Sequence, residues 1–184
     1  YGGRNFEYYS EDAYLSGEMS KEEVRAMEEK GIFVVMKHFA LNDCEQDRIG
    51  LGVWLSEQAA REIYLKPFEM LVKEADIACL MTSFNKINGV FAAGNADLCT
   101  HILKEEWGYR GAVVTDWGDM DVVVDGADAV AAGNDIVMPG GPPVIRQILQ
   151  GYREGRVSRD AMEKAVTRML YMTHKVRKGG RHGK

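Results

Sequence analysis

An apolar run of the sequence ends in an acidic residue, although a simple loop after a strand does not require a carboxylate. The stretch GAVVTDWG, residues 111–118, is small and β-branched until Asp116, which Trp117 follows directly. Two other apolar runs end in basic, polar or aromatic residues, at Lys37-His38 and Ser83-Phe84-Asn85, and a third ends at Met138-Pro139. Charged groups bind hydroxyls through paired hydrogen bonds, and aromatic faces cover the C–H face of a sugar ring. These residue types therefore predict a pocket for a polyhydroxylated ligand.

The four runs have the continuous apolar character of strands that are buried on both faces. They are IFVVMKHF (32–39), DIACLMTSFN (76–85), GAVVTDWG (111–118) and NDIVMPG (134–140). Helical patterns lie between them, and strands that alternate with helices form right-handed units around a parallel sheet. Because the carboxyl ends of parallel strands meet at one edge, the polar residues that end these runs are predicted to lie together.

Three helices are predicted with defined ends. The first spans 56–75, with Ser56 as N-cap, Glu57 in the first turn and a kink at Pro67. Its apolar face consists of Ala60, Ile63, Leu71 and Ala75. The second spans 95–109, with Asn95 as cap, Gly108 as stop and the stripe Leu98, Ile102 and Leu103. The last runs from Ser158 to about Arg177 and is predicted to bury Met162, Ala165, Val166, Met169 and Leu170.

The element order indicates an α/β fold, and both a (β/α) barrel and a doubly wound sheet satisfy it. Only four strands are visible, whereas a closed barrel needs eight over about 250 residues. The chain is therefore predicted to be part of a barrel. Residues 1–30 are rich in Tyr, Glu and Ser and read as a long loop that runs into a helix.

Composition excludes several classes of protein. The 184 residues are 46% hydrophobic with a net charge of −5, which indicates a soluble globular piece and disfavours nucleic acid as a partner. No apolar stretch approaches the roughly 20 residues of a membrane span, and the first residues do not read as a secretion signal. Cys44, Cys79 and Cys99 are odd in number and lack C-x-x-C spacing, so neither disulfides nor zinc are predicted. A reducing, cytoplasmic location is the default expectation.

Simpler interpretations of the same residues stay open at this point. Asp116 could N-cap the helix that follows it, a role that Asp fills well. Lys37 and His38 could be a surface pair, although a cation directly after FVVM would be buried at a cost without a partner. A calcium loop at 43–54 is excluded, because the required Gly is Arg48 and the closing Glu is Trp54.

Six stretches in order resemble family 3 glycoside hydrolases, the β-glucosidase and β-xylosidase group. They are GRNFEYYSED (3–12), KHFALND (37–43), REIYLKPFE (61–69), MTSFNKINGV (81–90), EEWGYRGAVVTDWG (105–118) and AGNDIVMPG (132–140). The resemblance implies that residues 1–177 are a partial (β/α) TIM-type barrel, roughly its second half, and that 178–184 are a basic tail or linker. It also implies an α/β sandwich domain elsewhere in the protein.

The resemblance further implies retaining hydrolysis of terminal, non-reducing β-D-glucosyl residues, with neither a metal nor an organic cofactor. Asp116 matches the nucleophile, which forms a covalent glycosyl-enzyme that water then hydrolyses. The matched sugar contacts are Arg4, Lys37 and His38, and the matched pocket walls are Met81, Phe84 and Trp117. We expect the basic neighbours to hold the pKa of Asp116 low.

The sequence departs from the family pattern in two respects. The general acid/base, usually a Glu of the second domain, has no counterpart here, although Glu7, Glu11 or Glu45 could substitute. Many relatives have Tyr where this chain has Phe84, so a hydroxyl contact to the nucleophile is expected to be missing. A recurrent acid and arginine match Glu45 and Arg48, and an ion pair that braces the loop is predicted there.

Two further expectations concern branch and partners. The N-acetylglucosaminidases of the family typically continue Lys-His-Phe-Pro-Gly, whereas Ala40 and Leu41 occupy those positions here, which favours the glucosidase branch. A partial barrel leaves an open edge, so association with a complementary barrel fragment, a second domain or another copy is expected. The alternative function is a non-catalytic sugar-binding or structural half-barrel.

Overall fold

A parallel sheet with helices between its strands forms the centre of the fold. The computed structural model describes residues 2–118 and 120–179. Its strands are β1 (Val35–Phe39), β2 (Gly52–Val53), β3 (Cys79–Thr82), β4 (Lys86–Ile87), β5 (Val90–Phe91) and β6 (Ala112–Val114). Its α-helices are α1 (Ala13–Glu29), α2 (Glu57–Ala59), α3 (Lys66–Met70), α4 (Met120–Val123), α5 (Gly126–Ala132), α6 (Pro142–Arg153) and α7 (Arg159–Gly179). The π-helical segments are Ala60–Tyr64, Leu71–Ala75 and Asp97–Glu106, and the 3-10 turns are Asn5–Glu7 and Ala92–Gly94.

The main sheet has the order β1-β3-β6, and both pairings are parallel. Ile136 adds a fourth position through a single parallel bridge to Val114. The run at 134–140 is thus shorter than predicted, and Pro139 has no N–H with which to continue the ladder. The predicted α/β class, with parallel strands that alternate with helices, is confirmed. The strand order follows the chain without reversal, as in an arc of a barrel, whereas a doubly wound sheet reverses at its switch point.

The predicted helix at 56–75 exists, and its predicted buried face is wrong only at Ile63. Ser56 caps it by accepting the N–H of Ala59. Ile63 is 47% exposed, while Leu65 and Met70 are buried. Leu71 is buried and Ala60 and Ala75 pack against the core as predicted, whereas the π-helical segment Ala60–Tyr64 takes more than 3.6 residues per turn and turns Ile63 away from it. Pro67 stands at the start of α3, where its missing N–H costs nothing.

The other two predicted helices are also present. In the second, Asn95 accepts the N–H of Leu98, the stripe packs into the core as predicted, and Gly108 follows the end with φ 71°. In the last, α7, Val166 and Leu170 are 58% and 65% exposed, against prediction. Helix α7 packs on β6 and α5. The buried face of α7 consists of Met162, Ala165, Met169 and Met172, and Val166 and Leu170 lie outside it.

Some elements were not foreseen. Helix α1 begins at Ala13, because Asp12 caps it by accepting the N–H of Leu15, so the predicted N-terminal loop is short. Helix α6 was not predicted. The unforeseen hairpin of β4 and β5 turns at Asn88 and Gly89, whose φ values of 48° and 90° are the positive values of a type I′ turn.

The core lies between β1, β3, β6 and the helices that connect them. Its fully buried side chains include Phe39, Leu80, Leu103 and Val113. Within the described part of the chain, no helix combines the length and hydropathy needed to cross a bilayer. Of the predicted basic tail at 178–184, the first two residues end α7, and residues 180–184 lie outside the described residues.

Candidate active site

The predicted site residues stand at the carboxyl ends of the parallel strands. Lys37 and His38 lie in β1, Met81 lies in β3 beside Lys37, and Asp116 follows β6 by two residues. His38 is 4% exposed. The peptide bond between Lys37 and His38 is cis. Three strands thus deliver a cation, an imidazole, a thioether and a carboxylate to one edge of the sheet.

The two oxygens of Asp116 have different surroundings. Oδ1 accepts the backbone N–H of Trp117 at 2.7 Å, and Oδ2 lies 3.4 Å from Nε2 of His38. The contact with Trp117 is not an N-cap, because α4 begins only at Met120. The carboxylate is held by a single amide on one side and faces the imidazole on the other.

Burial dominates the electrostatics of Asp116, which corrects one expectation. Desolvation raises the pKa of this carboxyl above its ordinary value, although the Trp117 amide and the cations Arg48, Arg4 and Lys37 all act to lower it. The basic neighbours therefore reduce the penalty of burying the carboxylate but do not overcome it. Asp116 is a carboxylate held in a partly desolvated place, as expected of a functional group.

His38 is neutral, which corrects a second expectation. Burial lowers its pKa to about 4, and the positive charges of Lys37 and Arg4 lower it further against the opposing effect of Glu7 and Glu45. At neutral pH the ring therefore provides no positive charge to Asp116. It provides one N–H donor and one acceptor instead.

Arg4 and Lys37 reach the site as an ion-paired group. Nζ of Lys37 donates to Glu7 at 2.9 Å, and Nε of Arg4 pairs with the other oxygen of the same carboxylate. Nη1 of Arg4 lies 3.5 Å from both Nε2 of His38 and Oε1 of Glu45. The predicted neighbourhood of Arg4, Lys37, His38 and Asp116 is therefore present in the structure.

The predicted brace between Glu45 and Arg48 is also present. Nη1 of Arg48 lies 3.1 Å from Oε2 of Glu45, and the Arg48 guanidinium stacks 4.5 Å above the Phe84 ring. Phe84 is buried beneath it, whereas Trp117 is 64% exposed. Arg48 thus links Phe84 to Glu45 in the loop after β1.

The three candidate acids differ in charge and exposure. Burial acts to raise the pKa of Glu7 and of Glu45, but their ion pairs and hydrogen bonds outweigh it and lower both. Lys37 and Arg4 do this for Glu7, and Asn42, Arg48 and Arg4 do it for Glu45. Glu11 is exposed, at the turn before α1. Both carboxyls that stand beside the basic cluster are therefore ionised at neutral pH.

Two site residues were missed by the sequence reasoning. The hydroxyl of Tyr8 lies 2.5 Å from Nδ1 of His38, and Nδ2 of Asn42 lies 3.3 Å from that hydroxyl and 2.9 Å from Oε1 of Glu45. Tyr8 lies in the stretch 3–12 and Asn42 in the stretch 37–43, which both resemble the family. Membership of these stretches was the sequence signal that could have identified the two residues.

Known proteins resemble this chain over most of its length. Residues 1–172 match the model of the glycosyl hydrolase family 3 N-terminal domain. Thermostable beta-glucosidase B of Acetivibrio thermocellus is 38% identical over 91% of this chain and 22% of its own length. An exo-alpha-(1->6)-L-arabinopyranosidase of Bifidobacterium breve is also 38% identical, over 96% of this chain and 23% of its own length.

Solved structures agree in fold. Beta-glucosidase 3B of Thermotoga neapolitana in complex with alpha-D-glucose superposes with a TM-score of 0.88 at 34% identity, over 97% of this chain and 26% of that one. A GH3 beta-glucosidase of Bifidobacterium adolescentis gives a TM-score of 0.89 at 37% identity, over 97% and 26%. The prediction of a partial (β/α) barrel is confirmed. The chain spans about a fifth of the length of the curated relatives it matches, and it belongs to glycosyl hydrolase family 3 as part of the N-terminal barrel domain.

Proposed function

We propose that this chain carries the sugar-binding half of the active site of a retaining β-glucosidase, with Asp116 as the nucleophile. The observation that carries the proposal is the position of Asp116, whose Oδ2 lies 3.4 Å from Nε2 of His38 in a cluster with Arg4 and Lys37. The complex of the Thermotoga relative with glucose supports a terminal β-D-glucosyl residue as the substrate.

The Trp117 amide holds Oδ1 of Asp116, which leaves Oδ2 to attack the anomeric carbon. A bond forms between that oxygen and the carbon as the glycosidic C–O bond breaks, and a proton passes to the leaving oxygen. Water then attacks the same carbon, gives a proton to the group that protonated the leaving oxygen, and releases the sugar and the carboxylate. Retention of configuration follows from two successive inversions.

The remaining residues are assigned to binding. Arg4 and Lys37 carry five and three N–H donors, so each keeps donors for sugar hydroxyls beyond those used on Glu7. His38 offers Nε2 to the same ligand. The proposed pocket walls are Met81, Phe84 and Trp117, of which the exposed Trp117 ring is available as a platform beside the scissile bond.

The general acid is proposed to come from outside this chain, from a second domain or a partner chain. A retaining enzyme needs a protonated carboxyl about 5 Å from the nucleophile. Glu7 and Glu45 have lowered pKa values and are committed to ion pairs, so neither can hold the proton. The greater length of the matched relatives supports a further domain as the source.

Azide rescue tests the nucleophile without the acid. The probe is 2,4-dinitrophenyl β-D-glucoside, whose leaving group departs without protonation. We expect slow release of dinitrophenol by the chain, none by Asp116→Gly, and renewed release when azide is added to that variant, with α-glucosyl azide as product. Asp160→Gly, in the first turn of α7, is the control and should behave as the parent chain does. Formation of β-glucosyl azide, or no rescue, would overturn the assignment.

A non-catalytic sugar-binding half-barrel is the second candidate function. The observation that favours it is that Glu7 and Glu45, the two carboxyls beside the basic cluster, are ionised and so do not supply the acid. If the chain binds glucose, as measured by titration calorimetry, but releases no dinitrophenol with or without azide in either form, the binding function is favoured over hydrolysis.

A further inference from the structure

We infer that Tyr8 and Asn42 are positioning residues that fix the tautomer of His38, so that the ring proton is on Nε2, which lies 3.4 Å from Oδ2 of Asp116. The inference deepens the proposed function at the same site. Hydrogen bonds run from Glu45 through Asn42 and Tyr8 to Nδ1 of His38, and Nε2 of the same ring lies 3.4 Å from Oδ2 of Asp116. Each link determines the direction of the next.

Glu45 sets the orientation of Asn42. An ionised carboxylate only accepts hydrogen bonds, and Nδ2 of Asn42 lies 2.9 Å from Oε1 of Glu45. Rotating the amide by half a turn would place its carbonyl oxygen against the carboxylate. The side chain is nearly fully buried, and its Oδ1 has no hydrogen-bond partner among the described residues. In this orientation both N–H groups of Asn42 are hydrogen-bonded and only its Oδ1 is left without a partner.

Asn42 in turn sets the direction of Tyr8. The second N–H of the amide points to the Tyr8 hydroxyl at 3.3 Å, so the phenolic oxygen accepts there. The proton of the hydroxyl remains to be donated. Nδ1 of His38 lies 2.5 Å from the same oxygen and is the acceptor within reach. Tyr8 therefore donates to Nδ1.

A ring nitrogen that accepts carries no proton. Because the ring of His38 is neutral, with a pKa lowered to about 4 chiefly by burial, its single proton must then be on Nε2. Nε2 faces Oδ2 of Asp116 at 3.4 Å. In the opposite tautomer Nε2 would accept a hydrogen bond from Arg4, at 3.5 Å. Nδ1 and Asn42 would then both donate to the Tyr8 oxygen, and the Tyr8 hydroxyl proton could no longer be donated to His38.

The tautomer decides what His38 does in the pocket. A protonated Nε2 donates either to the carboxylate of Asp116 or to a sugar hydroxyl oxygen, and it cannot take a proton from either. His38 is thus a fixed donor and not a base. Tyr8 and Asn42 act only through His38.

Nitrogen-15 NMR of the histidine-labelled full chain reads the tautomer directly. The chain has four histidines, and His38→Gln identifies the signals of His38. We expect a pyrrole-type shift for Nε2 and a pyridine-type shift for Nδ1 in the parent chain. Tyr8→Phe should move both toward averaged values. Asn42→Asp should reverse them, because a carboxylate at 42 accepts the Tyr8 proton and leaves the phenolic oxygen to accept from Nδ1.

Tyr9→Phe is the matched control, since Tyr9 donates to Glu23 and is the adjacent tyrosine in the chain. It should leave the His38 shifts unchanged, and unchanged shifts of the other histidines check folding. A parent chain with its proton on Nδ1 would overturn the inference even if a variant failed to fold, and so would unchanged His38 shifts in a folded Tyr8→Phe. The readout needs no turnover, so failure of azide rescue would reject the proposed function and leave this result standing.

Discussion

His38 shows how burial changes what a residue contributes to a site. Its folded pKa of about 4 lies below the value of about 6.5 expected in the unfolded chain. Between these values the unfolded chain binds more protons, so the free energy of unfolding should fall as the pH drops from 6.5 to 4. The titration of His38 should lower the free energy of unfolding by roughly 3 kcal/mol over this range. Urea denaturation at pH 7 and pH 4 measures this.

The variant His38→Gln provides the comparison, because glutamine does not titrate. The difference in unfolding free energy between the parent chain and this variant should shrink as the pH falls through that window. An equal fall in both proteins would show that the acid sensitivity comes from other groups.

Asp116 should be retained at a cost to stability. Since burial raises its folded pKa, its favourable contribution is complete below the unfolded value of about 3.9 and is lost as the pH rises through the folded value. Asp116→Asn keeps an acceptor for the Trp117 amide and removes the charge. We expect it to be more stable than the parent chain by about 1 kcal/mol at pH 7 and no more stable below pH 4. Thermal unfolding at both pH values measures this, and a less stable variant at pH 7 would contradict it.

At this scale the sequence predicted which residues meet but not their charge states. The motif positions of Arg4, Lys37, His38 and Asp116 were sufficient to place them together. The neutrality of His38 and the raised pKa of Asp116 depend on how far each side chain is desolvated. Desolvation is a property of packing by residues distant in sequence, and a motif does not report it.

Among the elements, the link between β6 and Ile136 depends on a buried ion pair. Asp135 is 1% exposed, lies 3.1 Å from Nζ of Lys104 and accepts the N–H of Val113 in β6. Asp135→Ala would leave the buried ammonium and that N–H without these partners. We expect it to lower the free energy of unfolding by about 3–5 kcal/mol, as measured by urea denaturation.

Its control is Glu163→Ala, which removes the exposed ion pair with Arg159 on α7. This change should cost less than about 1 kcal/mol, because both partners remain hydrated when separated. If the two variants were equally stable, Asp135 would not hold the edge of the sheet.

Element types were predictable here, whereas their exact faces were not. Ser56, Asn95 and the apolar periods identified helices that exist. The predicted buried face of 56–75 was wrong at Ile63, because a π-helical segment changes the number of residues per turn. No residue in AREIY predicts a π-helix. In α7 the predicted burial of Leu170 was wrong, because a periodic pattern identifies an apolar face but not the element that would cover it.

At the scale of the whole molecule, apolar side chains are exposed on an edge strand and on two helices of the described part of the chain. Val35 on the edge strand β1, Ile145 and Leu149 on α6, and Val166 and Leu170 on α7 are all exposed. Unpaired strand edges and contiguous apolar patches promote association. We expect the 20.6 kDa chain to sediment as a self-associated species at micromolar concentration in the absence of a complementary barrel fragment.

The double variant Val166→Glu/Leu170→Glu should shift sedimentation toward the monomer, since it places charges on exposed positions of α7 without disturbing the core. Thr173→Glu, at another exposed position of the same helix, should leave the distribution unchanged. A parent chain that is monomeric at every concentration would contradict this view of the open barrel.

Covalent trapping tests the central assignment most directly. The chain is incubated with 2,4-dinitrophenyl 2-deoxy-2-fluoro-β-D-glucoside, whose leaving group needs no acid and whose fluorine slows hydrolysis of the glycosyl-enzyme. Intact mass followed by peptide mapping should reveal one fluoroglucosyl group on Asp116, and Asp116→Asn should remain unlabelled. A label on Glu7, Glu45 or any other carboxylate, or no label on a chain that binds glucose, would contradict the account.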